Sequence, residues 1–198
     1  EVVAENRGIY ATHMRNEGSR LVEAVAEAIE IGEKAGVSVQ ISHHKAAGNF
    51  NWGKVKTTLG MIDDANLRGL EIHSDVYPYT AGSTVLTAMF LPLWAFEGST
   101  DRMLERMRDP ETRARIIRDA KEQLLAYVDL PKWLSRVPKR WLLPLILKKM
   151  GDVVVLNSVK KQRHYEGRKI GEIAKERGKE LHEAMIDLLI EEETAVSA

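Results

Sequence analysis

Apolar positions in the first part of the chain recur at alternate residues, then at helical spacing, then at alternate residues again. Ile9-Tyr10-Ala11-Thr12-His13 reads as a short buried strand, followed by a polar loop from Met14 to Ser19. Leu21, Val22, Val25, Ala28 and Ile29 then fall on one helical face, with Gly36 where a helix C-cap belongs. The cycle restarts with Val37-Ser38-Val39-Gln40-Ile41-Ser42, which ends at His43. After a loop from Lys45 to Gly53, Val55, Leu59, Ile62 and Ala65 predict a second helix, closed at Gly69. A third strand, Leu70 to Val76, leads into Tyr77-Pro78-Tyr79.

Three strands joined by amphipathic helices, about one unit per thirty residues, predict an α/β fold with a parallel sheet. Polar and ionisable residues gather where these strands end: His13 and Arg15, His43 and Lys45, Asp75 and Tyr77. Both a doubly wound sheet and a (β/α)8 barrel put their sites at that end. No glycine-rich phosphate loop opens either helix, so the barrel is the better reading.

The rhythm changes after Ser83. A charged helical stretch runs through Asp101, Arg102, Glu105, Arg106 and Arg108, breaks at Asp109-Pro110, and resumes with Arg113, Arg115 and Arg118. Its interspersed acids give a solvated helical face. Pro131, Pro138 and Pro144 punctuate the next segment; Val153-Val154-Val155-Leu156 reads as a strand, and a last helix spans Leu181 to Glu191. Glu191 to Ala198 runs from that helix into what reads as the first residues of another strand. The expected domains are a partial (β/α)8 barrel at 1–87, a mainly helical insertion or lid at the barrel mouth at 88–185, and a return towards the barrel at 186–198.

Composition narrows the function. The 198 residues carry 29 Lys+Arg and 29 Asp+Glu, a net charge of zero, which argues against a nucleic-acid partner. There is no cysteine, which excludes disulfides and thiolate ligands and fits a cytoplasmic protein. The longest apolar stretch, Trp141 to Leu147, is too short to span a bilayer and contains Pro144. With Trp133, Lys148 and Lys149 it is better suited to packing on the barrel or on a partner subunit than to docking on a membrane; a homo-oligomer is compatible with this.

His13 and His43 end consecutive strands at equivalent places. Parallel neighbours lie about 4.8 Å apart, so two such imidazoles can converge on one metal ion, or stack at the rim. Further strings fill in the picture: Ala11-Thr12-His13-Met14-Arg15-Asn16-Glu17, Ile41-Ser42-His43-His44-Lys45 and Asp75 to Thr84. With Leu91-Pro92-Leu93-Trp94-Ala95, Arg108 to Arg113 and Ile170 to Ala174, they resemble, in order, the N-acyl-D-amino-acid deacylases (D-aminoacylases) of the amidohydrolase superfamily. The resemblance is to an internal fragment of such an enzyme.

That resemblance implies a (β/α)8 barrel whose strands five to seven are the three read here, with zinc at the mouth. His13 and His43 match metal ligands; Lys45 and Tyr77 match residues that bind the substrate's free carboxylate, and Ser83 lines the same pocket. The family's His-x-His pair and cysteine ligand are not in this sequence, and its general-base aspartate is expected beyond Ala198, so the chain alone is expected to be inactive. The implied reaction is zinc-dependent hydrolysis of N-acyl-D-amino acids. Alternatives are a dihydroorotase- or hydantoinase-like cyclic amidase and a non-catalytic scaffold.

Arg15 and Glu17 are expected to form a rim ion pair, Arg15 being a further candidate for substrate contact. Asp75 is read as holding the strand-end loop, His44 as facing a helix, His73 as structural, and His164 and His182 as solvated.

Overall fold

The computed structural model describes residues 1–48, 51–127 and 136–198, which leaves Pro131 and Trp133 outside the described residues. The described residues up to Thr80 form one compact unit and those from Ala81 form another.

The first unit runs α1 (Val2–Glu5), β1 (Ile9–Thr12), α2 (Leu21–Ala35), β2 (Ser38–Ile41), α3 (Lys54–Leu67) and β3 (Ile72–Ser74). The strands form a parallel sheet in the order β1-β2-β3, with Ile9 opposite Ser38 and Val39 opposite Ile72. Leu21, Val25, Ala28 and Ile29 of α2, with Ile62 and Ala65 of α3, share one core with Val39, Ile41 and Ile72. Both crossover helices thus cover the same sheet face. Sequential strands with helices on one face are the local arrangement of a (β/α)8 barrel, whereas a doubly wound sheet covers both faces.

Two glycines set the spacing of that layer. A Cβ on Gly32 would lie 2.5 Å from Val39 Cγ2, so only glycine lets α2 come this close to β2. Gly36 ends α2 at φ 62°, the left-handed conformation that glycine adopts without penalty.

The sequence reading shifts in three places. Met14 is buried in the core and is not part of a polar loop. On α3 the inward position is Thr58, and Leu59 is exposed, because the helix is rotated to offer Thr58 to His44. β3 is shorter than Leu70 to Val76: it spans Ile72–Ser74, the Asn66 side chain takes both the N–H and the C=O of Ile72, and Asp75 still donates its N–H to the Ile41 carbonyl and accepts from the His44 N–H.

The second unit comprises α4 (Leu86–Phe90), a 3-10 turn at Leu93–Phe96, α5 (Thr100–Arg108), α6 (Pro110–Tyr127), α7 (Lys139–Val153), β4 (Ser158–Val159), a 3-10 turn at Arg163–Tyr165, α8 (Ile170–Glu176), α9 (Leu181–Glu191) and β5 (Val196–Ser197). Its core joins Leu86, Phe90, Met107, Ile116, Leu156, Ile173 and Met185. Ser99 caps α5 by accepting the Arg102 N–H, and Pro110 begins α6, so the Asp109-Pro110 break separates two helices. β5 pairs antiparallel with β4, and Ser197 bridges Val85.

Three sequence expectations fail in this unit. Val153 closes α7, and only Val155 of the expected strand makes a bridge, to Lys169. The arginine-rich stretch is not wholly a solvated face: Arg113 reaches Glu183 and, at 2.8 Å, Asp187 of α9. Arg115 lies over the Trp94 ring. His182 is 1% exposed and edge-on to Phe90, and among the described residues its Nδ1 has no hydrogen-bond partner. Burial depresses its pKa to about 4, outweighing attraction to Glu180. His164 is exposed beside Tyr165. Among the described residues, no helix is long and apolar enough to cross a membrane.

Candidate metal centre

His13 follows β1 and His43 follows β2, adjacent strands in register, which brings the two rings to a centroid separation of 4.5 Å. His13 Nδ1 and His43 Nε2 face each other in direct contact. The sequence reading brought these two imidazoles together from the ends of consecutive strands, without choosing between their ring nitrogens.

His43 has φ 43°, an uncommon conformation for a residue with a side chain. It is held there by Asp75, whose Oδ1 accepts the His43 N–H at 2.7 Å and whose Oδ2 accepts from Gln40 at 2.8 Å. The His43 N–H keeps the Asp75 carboxyl below its ordinary range against a small burial penalty, with Gln40 adding to the effect. The left-handed kink also parts the neighbouring histidines. His44 turns into the core and meets Thr58 Oγ1 at 2.8 Å, and burial lowers its pKa. His73 stays exposed beside Glu71.

The other ring nitrogen of His43 lies in a close triangle. Glu17 Oε1 is 2.8 Å from His43 Nδ1 and 2.6 Å from Lys45 Nζ, and Lys45 Nζ is 3.0 Å from His43 Nδ1. Lys45 also donates to the His43 carbonyl at 3.1 Å, and its ammonium is 5.5 Å from the centre of the Tyr77 ring. The loop that carries Glu17 is fixed by Asn16 Oδ1, which accepts from the backbone of Gly18 and Arg20, and by Ala47 N–H, which donates to the Glu17 carbonyl.

The expected Arg15–Glu17 pair does not form. Arg15, with a side chain 82% exposed, pairs with Glu27 of α2 at 2.7 Å, beside a cavity of about 180 Å³ that His13 and Thr12 also line. Glu17 instead faces Lys45, across a bent loop in which Asn16 Oδ1 accepts from the Gly18 and Arg20 N–H groups. Ser83 is exposed in the second unit, ahead of α4. Sequence reasoning overlooked the role of Glu17, and no local signal marks it: its partner Lys45 is remote in sequence and joins it only once β1 and β2 pair.

The donor set suits zinc, since neutral imidazole is a good ligand for it. His13 and His43 supply two nitrogens; among the described residues no group of three or more His, Cys, Asp or Glu is arranged to hold a metal ion.

The described residues thus bring two strand-end histidines together on a parallel strand–helix repeat with helices on one face. Known proteins show what this arrangement is similar to. No family model matches the chain. It is 49% identical over 79 residues to a D-aminoacylase of Alcaligenes xylosoxydans xylosoxydans, a match covering 40% of this chain and 16% of that protein. An N-acyl-D-glutamate deacylase of the same organism is 39% identical over 85 residues, covering 43% of the chain and 17% of the relative. Among solved structures, an N-acyl-D-glutamate deacylase of Bordetella bronchiseptica, complexed with zinc and a phosphonate mimic of the tetrahedral intermediate, superposes with a TM-score of 0.62. It is 22% identical and shows the fold, covering 100% of this chain and 28% of its own. A D-aminoacylase described by its binuclear metal centre gives a TM-score of 0.56 at 27% identity, covering 98% and 28%. The chain is similar to N-acyl-D-amino-acid deacylases, amidohydrolases of TIM-barrel fold, and matches a small part of their length.

Proposed function

We propose that these residues serve zinc-dependent hydrolysis of the amide bond of N-acyl-D-amino acids, releasing a carboxylate and a D-amino acid. The observation that carries this reading is the convergence of His13 Nδ1 and His43 Nε2 beside the Lys45 ammonium and Tyr77. In this reading β1, β2 and β3 are strands five to seven of the barrel. His13 and His43 hold the ion, which when bound would polarise the amide carbonyl and acidify a water.

The chain's own residues bind and orient. An ammonium carries three N–H donors. Lys45 gives one to Glu17 and one to the His43 carbonyl; with the His43 proton on Nδ1, the third is left for the substrate's carboxylate, with the Tyr77 hydroxyl as a second donor. A carboxylate held by these donors and an amide held at the metal fix two of the substituents on the carbon between them, and a third contact, to its side chain, would tell D from L. Arg15 and Ser83 are further candidates for contact with the substrate. The similar deacylases, which act on open-chain amides, support this reading over a cyclic amidase.

The test is made on the protein expressed from its complete reading frame, with N-acetyl-D-amino acids and their L-isomers as substrates. Zinc-dependent release of the D-amino acid alone is expected. His43→Ala should lose both metal and turnover, and Lys45→Ala should raise KM while zinc content stays unchanged. Full zinc occupancy in His43→Ala, or equal turnover of both isomers, would overturn the reading.

A further inference from the structure

Glu17 Oε1 sits against two groups with different assigned tasks, a metal-binding imidazole and a carboxylate-binding ammonium. Its effect on His43 follows from counting protons. An imidazole that gives Nε2 to a metal must carry its proton on Nδ1. Lys45 Nζ, 3.0 Å from Nδ1, favours the opposite tautomer, because an ammonium can only donate and would find a lone pair there. Glu17 decides between the two. With the proton on Nε2, the lone pairs of Nδ1 and of the Glu17 oxygen would face each other at 2.8 Å; with the proton on Nδ1, that contact is a charge-assisted hydrogen bond.

The same oxygen draws the Lys45 ammonium to 2.6 Å and satisfies the donor that would otherwise compete for Nδ1. The Glu17 side chain is 22% exposed and those of His43 and Lys45 are 27% and 30% exposed, so the triangle is partly screened from water and has a defined geometry. From the position of Glu17 between these groups, we propose that it is a positioning residue. It fixes His43 as the Nδ1–H tautomer with Nε2 turned to His13, and it holds Lys45 where the substrate's carboxylate binds. This deepens the metal-site reading above and rests on it.

The two tasks separate by substitution. Glu17→Gln keeps an oxygen acceptor for His43 but removes the charge that holds Lys45; Glu17→Ala removes both. In the protein from its complete reading frame, zinc dissociation constants are measured by competition with a chromophoric chelator, and the His43 tautomer by nitrogen-15 NMR of the imidazole, assigned with His43→Ala. We expect Glu17→Ala to bind zinc about ten- to a hundredfold more weakly, with the Nδ1–H signature of His43 lost. Glu17→Gln should hold zinc within about threefold of wild type and keep the signature, while KM rises about tenfold.

Wild-type zinc affinity and an unchanged tautomer in Glu17→Ala, with zinc lost in His43→Ala, would overturn the proposal and leave the metal site standing. Zinc binding that His43→Ala does not weaken would overturn the metal site and the proposal with it. If Glu17→Ala does not fold, Glu17→Gln decides: an unaltered KM there would overturn the proposal.

Discussion

The Asp75 carboxylate accepts the backbone N–H of His43 at 2.7 Å and thereby holds a histidine at φ 43°. A side chain in left-handed backbone is strained, and such strain persists where neighbouring groups enforce it. The gain here is directional: the kink sends His43 towards His13 and His44 towards Thr58.

Replacing His43 by glycine and by alanine separates strain from side chain. Both variants lose the imidazole, but glycine relaxes at φ 43° and alanine does not. His43→Gly should be more stable than His43→Ala by about 1 kcal/mol, read from denaturant midpoints at equal m-values. Equal midpoints would mean that the left-handed backbone carries no cost.

Asp75→Asn keeps a side-chain acceptor for one of its two bonds and weakens the clamp. Metal affinity should fall about tenfold while the far-ultraviolet circular dichroism stays that of the parent. Unchanged affinity would show that Asp75 holds the loop without aiming His43.

His182 makes the second unit sensitive to acid. Its folded-state pKa of about 4 lies below the ordinary 6.5, so the fold holds the neutral ring and the unfolded chain takes up the proton first. Stability is therefore complete above pH 6.5 and is lost as pH falls towards 4, by on the order of 3 kcal/mol from this residue. In thermal melts from pH 7 to pH 4.5, His182→Leu should lose markedly less Tm than wild type. Parallel curves would remove His182 as the cause.

Helices α7 and α8 meet at glycines. A Cβ on Gly171 would stand 2.9 Å from the Gly151 carbonyl oxygen and 3.0 Å from its carbon, backbone atoms that cannot swing aside. Gly171→Ala should cost about 1–3 kcal/mol by chemical denaturation. A neutral result would mean that the helices separate at little cost.

Where a segment's surroundings are determined by its own periodicity, the sequence is readable. β1, β2, α2 and α3 follow from residue spacing, and His13 and His43 follow from where the strands end. Val153-Val154-Val155 misleads because α7 continues through Gly151 and Asp152, so the valines are divided between a helix end and a single bridge. His182 was legible in part: with Ile186 and Leu189 it falls on the apolar stripe of α9, a signal masked by Glu180 and Glu183 beside it. Glu17 is different in kind. That it faces Lys45 and leaves Arg15 to Glu27 depends on how a loop closes over paired strands, which no spacing encodes.

The order of the parallel sheet also bears on how the site comes into being during synthesis. Each strand finds its partner about thirty residues further along the chain, Ile9 with Ser38 and Val39 with Ile72, so the layer can grow strand by strand without long-range searching. His13 and His43 meet as soon as the second strand docks, but Asp75 arrives only with the third. A nascent chain paused between these events would hold both histidines with nothing to aim one of them. On the proposed reading, metal capture would then mark the docking of β3.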